Sequence, residues 1–588
     1  VGATTRRAAA AIALLTFAPT GPTLALDVPL GVPALELRFD NTLRANVGVR
    51  TDPIDTKMGM NPAFTGGEYS VKQYGLTAGR LDVLSELDLT YAGRYGARLS
   101  AAGWYDLAYR HGTVSRSPTL VAAGVPGSYV GDEYSDYTLH RYRGPWGELL
   151  DAFAFASFDA GGVPVTIKAG RHTVYWGESL MLPGAIHGVS YSQMPLDLQK
   201  GFAVPGTEAK ELFRPLASVS AQAQVAPTLS LAAQLFLEWQ SFLYPEGGTF
   251  LGAGDFAFNG PDGGVAINPA GGQTYLANRR VSWPRDLGEW GVAARWRPAW
   301  LDGTLGLYYR RYTDKFAALL VTTNPGGVGP LSPAIPSPFK YEQYYAEDVD
   351  LVGVSLARQI LGASVGAELS WRHDTPLTAQ SLGWAQAPAP ALAPVLHPHG
   401  APALVGNSYQ ARGDTLHALV NAIGVFSTPA FSTASWAVEL TYSRWLDVRE
   451  NRDMFYGEGY GVCRDDPALG PLAKGASDGC ATRQHFAIAA GFTPTWFRVF
   501  PGVDLLAPLS ASWTVRGNSP VAMGGNEGSG TFGVGVAADL RNLLRVDLRY
   551  VDFFGEKKDD GTRVTSANGQ QALLESRGSV TLTAKATF

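Results

Sequence analysis

Between residues 171 and 179 the chain reads RHTVYWGES, which brings Arg171, His172, Tyr175, Trp176 and Glu178 close together, and Asp197 follows in QMPLDLQK. A guanidinium, an imidazole, a phenol, an indole and two carboxylates can hold an organic molecule by charge and stacking, or can place an acid beside a base. Catalysis would further require a nucleophile beside an oriented base, or a carboxylate pair flanking a reacting bond. The chain contains no H-E-x-x-H and no phosphate-binding loop, and its nine histidines are scattered. The nearest approach to a dyad is His373 with Asp374. His397 and His399 lie in the Pro- and Ala-rich stretch QAPAPALAPVLHPHGAPALVG (386–406) and read as polar loop residues rather than metal ligands. The expectation is therefore a binding or conducting surface without catalytic residues, resident metal or cofactor.

Two cysteines occur, Cys463 and Cys480, within one polar segment. They are a candidate disulfide, and two thiolates with no neighbouring His or Cys are too few for tetrahedral zinc.

What must position the 171–197 residues follows from the period of the chain. In LRFDNTLRANVGVR (37–50), Leu37, Phe39, Leu43, Ala45, Val47 and Val49 share one face, with charged and polar residues on the other. The same two-residue alternation recurs in VLSELDLTY, LSAAGWYDLAY, LSLAAQLFLEW, VGAELSW, WAVELTY and LRVDLRY, several of which end in Trp or Tyr. It closes in SVTLTAKATF, ending on Phe588. Links such as AGRYG, DAGG, APT and TPAF alternate with long connections, roughly 52–80, 111–147, 171–214, 241–288, 313–347, 373–412, 446–481 and 556–576.

This pattern predicts an all-β chain: a transmembrane antiparallel β-barrel of about eighteen strands, sixteen being the alternative count, with short periplasmic turns and long extracellular loops. Aromatic strand ends would form the two interfacial girdles. Inward charges of both signs, among them Arg44, Glu86, Arg310, Glu368 and Glu439, would line a polar lumen. The connection 171–214 is too apolar to stand free in water. It is expected to fold into the lumen as a constriction or cargo platform, with Arg171, His172, Tyr175, Trp176, Glu178 and Asp197 facing the path, or else to pack against the wall as filler.

Bulk properties agree. Charged residues make up 17% of the 588 residues and the formal net charge is -5, which provides no basic footprint for nucleic acid. Arg6 and Arg7 precede an apolar run and the small-residue site PTLALD, so residues 1–25 read as a secretory signal peptide. Residues 26–588 then form the outer-membrane domain, with strands and loops over 35–588. The Gram-negative outer membrane, with its lipids, is the expected location.

The stretches FDNTLRANVGVR (39–50), LDVLSELDLTYAGRYGARLSAAGWYDLAYR (81–110), KAGRHTVYWGES (168–179), VPGTEAKELFRPLASVSAQAQVAPTLSLAAQLFLEWQ (204–240) and AEDVDLVGVSLARQI (346–360) resemble the proteobacterial outer-membrane family known as domain of unknown function 1302. Where such proteins often carry Asn-Pro-x-Asp after the WGES segment, this chain has Met194 before Pro195 and retains Asp197. The resemblance implies an exported barrel without assigned chemistry, inserted by the barrel assembly machinery, which would read the strand ending at Phe588. It also implies company with a periplasmic partner and an inner-membrane exporter of the resistance, nodulation and division type. Function is accordingly expected to be a channel or export-partner barrel for hydrophobic small molecules or lipids. The alternatives are a general or substrate-selective aqueous porin, and an outer-membrane hydrolase or structural barrel.

Overall fold

The computed structural model describes residues 26–588 apart from 29–30, 33, 204–211, 268–272, 325–327, 330–331 and 380–381. The expected signal segment 1–25 and part of the expected inserted connection lie outside the described residues.

The principal sheet holds twenty segments. One is the short piece Leu26–Val28, and two others, Val503–Leu506 and Leu509–Arg516, are halves of a single strand. Eighteen antiparallel strands therefore build the wall, from the first, Leu35–Arg50, to the last, Ser579–Thr587. These two pair directly, from Thr42 opposite Thr587 to Arg50 opposite Ser579, and close the barrel. Phe588 completes the seam, its N–H donating to Asn41 O at 2.9 Å and its carbonyl accepting from Asn41 N at 2.7 Å. Beyond it, Leu26–Val28 pairs with Leu37–Phe39 and covers more of the first strand's edge.

Closure satisfies every ladder without an exposed edge, which is what allows strands to cross a membrane. The alternation then decides the faces. Leu43, Val83, Leu307, Val420, Leu440 and Leu582 point outward and are exposed, as lipid-facing side chains must be in an isolated chain. Arg44, Asn46, Glu86, Glu368, Glu439 and Thr583 point inward and are buried. Tyr91, Tyr95, Trp296, Trp300, Phe426 and Phe500 ring the short-turn end, while Tyr105, Trp146, Trp290 and Trp371 stand near the long-loop end. Both girdles are present.

The expected loop asymmetry holds, with short turns such as 92–94, 227–228 and 361–362 alternating with long connections. Three of these pool strands into a second, five-stranded sheet: Gly383–Trp384, Ala318–Thr323, Phe339–Tyr344, Gln273–Val281 and Gly263–Ile267. Leu320, Val321 and Tyr341 are fully buried in it, so the long-loop end carries a packed cap. Cys463 and Cys480 are joined by a disulfide within another long loop.

Candidate functional site

The connection after the fifth strand, Pro164–His172, enters the lumen. It carries the helices Leu182–His187 and Leu198–Ala203, and Tyr191, Met194, Leu196 and Leu198 in it are buried. Its backbone from Glu178 to Tyr191 is held by one sector of the wall. Glu439, in the thirteenth strand (Phe431–Glu450), accepts backbone N–H bonds from Leu180, Met181 and Gly184 at 2.7, 3.2 and 2.9 Å. Glu368, in the eleventh strand (Ala363–Pro376), accepts from Val189 N at 2.7 Å and from Glu178 N. Arg310, in the ninth strand (Gly303–Tyr312), donates to the carbonyls of Val189 and Tyr191 at 2.9 and 2.7 Å. Arg372 donates to Ile186 O and Gly188 O at 2.8 and 3.0 Å, with its guanidinium 4.3 Å from the Tyr191 ring centre. The Nδ1 atoms of His187 and His417 lie 3.1 Å apart, and the His485 ring is 5.0 Å from that of His187.

The two carboxylates and two guanidiniums are spent on loop backbone. Unpaired peptide groups cost free energy when dry, and charged partners satisfy them with strong hydrogen bonds. The ninth to fourteenth strands are thus the anchoring sector.

Opposite them, space remains. A crevice runs between the loop and the second, third, seventeenth and eighteenth strands, lined by Arg80, Trp104, Asp106, Phe553 and Thr581 from the wall and by Asp197, Gln199 and Lys200 from the loop. Arg141 and Tyr142, from the helix Asp136–Tyr142, and Phe250 complete it. The Trp104 ring is approached by two cations, Arg80 at 4.7 Å and Lys200 at 4.8 Å. Its indole N–H donates to Arg141 O at 2.7 Å, which fixes the ring.

Burial raises the Tyr142 and Tyr109 phenols well above their ordinary value, so both remain neutral. Burial opposes the Arg141 charge, but neighbouring Tyr137, Asp197 and Glu148 hold its pKa above the ordinary value. Toward the short-turn end the lumen is ionic, Arg98 bridging Glu86, Asp88 and Asp151.

Of the six residues expected on the path, Asp197 lines the crevice, with its carboxylate 3.6 Å from Arg141 and 3.8 Å from Lys200. The others are placed differently. Arg171 pairs with Glu238 at 3.2 Å at the strand end, and His172 is buried in the wall with Nε2 2.7 Å from Ser220 Oγ. Tyr175 donates to Ser179 O and packs its ring edge on Phe213. Trp176 is 5% exposed, within the hydrophobic cluster that includes Tyr308, and Glu178 accepts from Ser355 Oγ. Trp176 and Glu178 thus bind the loop to the wall, Tyr175 packs within the loop, and Arg171 and His172 belong to the strand end, because an apolar segment inside a barrel turns its rings toward protein rather than toward the open side.

Sequence reasoning missed Arg80, Trp104, Arg141 and Lys200. A signal for Trp104 was available, since alternation puts it on the same face as Asp106 and so aims an indole into the lumen. His373, with Asp374 and Asp414, forms the one group among the described residues with the spacing of metal ligands. It lies on the strand face of outward-pointing Trp371, beside the Arg449 guanidinium, and is well described as an ion-pair cluster.

The family model described as "Protein of unknown function (DUF1302)" matches residues 6–588. No curated protein matches the chain. Among solved structures it is similar to OccK1 (OpdK) of Pseudomonas aeruginosa, at 10% identity, TM-score 0.37, covering 94% of this chain and 98% of that one. It is also similar to OccAB1 of Acinetobacter baumannii (9%, TM-score 0.40, 94% and 96%) and to OccAB4 of the same organism (8%, TM-score 0.37, 97% and 100%).

Proposed function

This chain belongs to the DUF1302 family, and we propose that it is an outer-membrane channel whose inserted loop narrows the lumen to a crevice for small organic molecules with an apolar body. One observation carries the reading: the loop is fastened along the ninth to fourteenth strands and leaves the aromatic crevice on the other side. A purely structural barrel would have no need to keep that space. A general porin would have no need to line it with Trp104, Tyr142, Phe250 and Phe553.

The ionic lumen below the crevice favours solutes that arrive in water, so the cargo is amphipathic rather than a lipid drawn wholly from the bilayer. The proposed reading is that of a conduit.

The test is solute uptake into proteoliposomes, comparing the intact chain with a variant in which residues 177–203 are replaced by a Gly/Ser linker. Slow, selective uptake by the former and fast, unselective uptake by the latter is expected. Equal uptake of all solutes by both would refute the constriction.

A further inference from the structure

We propose that the outer face of the thirteenth to fifteenth strands, at the long-loop end, holds the phosphorylated headgroup of a glycolipid of the outer leaflet. Strand register lays this face out in rows. Val420, Leu440, Ile488 and Trp513 stand opposite one another on the lipid side. One step toward the long loops the row is Ala418, Tyr442, Phe486 and Arg516, and the next is Leu416, Arg444 and Gln484. Apolar side chains thus give way to cations through the Tyr442 and Phe486 rings, which lie 4.9 Å apart. A barrel meets lipid headgroups at this level, because its aromatic girdle marks the edge of the hydrocarbon.

Three guanidiniums gather there. Arg444 has its Nε buried without a hydrogen-bond partner. Arg483, which immediately precedes the fourteenth strand (Gln484–Phe500), lies 3.9 Å from the Trp445 ring centre and donates to Leu446 O at 3.0 Å. Arg516 is exposed, across a register shift from Phe486. Among the described residues none of the three forms an ion pair. Of the acids placed near them, Glu527 accepts from Gly517 N at 2.7 Å, and Asp447 stands opposite Asp414 beyond Leu446.

The adjoining sector provides the contrast. Arg311, Asp350 and His373 face one another in register at the same end, with Arg311 paired to Asp350 at 2.7 Å and Arg449 lying 3.4 Å from Asp374. Cations there bring their own anions. Those over the thirteenth to fifteenth strands wait for one from outside.

The occupant must meet two conditions at once. It needs anionic oxygens for planar guanidiniums, which phosphate matches with paired hydrogen bonds, and an apolar body to lie against Leu440, Ile488 and Trp513. A soluble anion meets only the first condition and an uncharged lipid only the second. A phosphorylated glycolipid, the lipid of the outer leaflet in Gram-negative outer membranes, meets both.

Binding is measured by native mass spectrometry of the full chain in a neutral detergent with EDTA, so that divalent cations contribute nothing. The probes are bisphosphorylated lipid A and the same lipid with both phosphates removed. The intact chain is expected to hold the phosphorylated form on the order of tenfold more tightly, the scale of one hydrogen bond to a charged group. The combined variant Arg444→Gln, Arg483→Gln, Arg516→Gln is expected to lose that preference, and Arg311→Gln to keep it.

Equal binding of the two forms by the intact chain would overturn the proposal. An equal loss of preference in Arg311→Gln would do so as well, by assigning the effect to the charge of the whole rim. Displacement of lipid A by excess inorganic phosphate would make a soluble anion the occupant and overturn the lipid. Because the two lipids are compared on the unaltered chain, the result does not depend on the variants folding.

Discussion

Glu439 illustrates how the lumen wall is used. Alternation in WAVELTY places it inward, which was legible in the sequence. That its carboxylate would be surrounded by Leu180, Met181 and Gly184 amides was not, because such pairing depends on a loop more than two hundred residues away. Removing it leaves three donors dry, at about 1–3 kcal/mol each. Glu439→Ala is expected to free the loop and raise single-channel conductance several-fold, whereas Glu439→Gln, which keeps one acceptor, should give an intermediate value.

Two loop carboxylates give a pH signature. Burial raises Asp255 and Asp314 to about 6 each. Asp255 accepts from the Gly66 and Gly67 amides, and Asp314 accepts the Tyr191 phenol at 2.9 Å. A carboxyl whose folded pKa lies above its unfolded value of 3.8 favours the folded state most at low pH. That advantage is lost as pH rises from about 4 through about 6, and each group costs about 3 kcal/mol above that range. Loop packing is therefore expected to be firmer at pH 5 than at pH 8. Hydrogen exchange of residues 56–70, corrected for intrinsic rates, should be slower at pH 5, and Asp255→Asn should flatten the difference.

At the level of elements, the sequence was most readable where one face met lipid and the other the lumen. It was least readable where that contrast disappears. Ala318–Thr323, in the cap, is buried on nearly every side and so shows no alternation. The fifteenth strand is interrupted at Ala507 and Pro508, since proline cannot donate to a ladder, and its two halves are short. The inserted connection was recognised from its apolarity, but apolarity does not tell which rings face open space. Of the six candidate residues, Asp197 lines the crevice, Trp176 and Glu178 meet the wall, Tyr175 packs within the loop, and Arg171 and His172 sit at the strand end.

The lipid-facing positions carry their own prediction. Leu440 is half exposed on the outer face, directly opposite Val420 and Ile488 in the neighbouring strands. Leu440→Arg should cost about 2–4 kcal/mol if it sits near the bilayer midplane, measured by urea titration of the folded barrel in lipid. Thr441→Arg, one residue along and facing the lumen, should instead alter conductance.

For the whole molecule, the two chain ends meet at a seam where Thr42 Oγ1 and Thr587 Oγ1 are 3.1 Å apart. If solutes use the lumen rather than a gap between strands, a disulfide in Thr42→Cys/Thr587→Cys should leave uptake within about twofold of the reduced protein, a margin near 0.4 kcal/mol. Loss of uptake restored by reductant would point to a route through the wall.

The same seam has a consequence for the order in which this machine comes into being. The crevice wall is drawn from the second, third, seventeenth and eighteenth strands, which flank the join on both sides. The anchoring sector belongs to the middle of the chain. The gatekeeper's mooring can thus be complete while the passage still lacks a side, and a half-built barrel has a stopper before it has a hole.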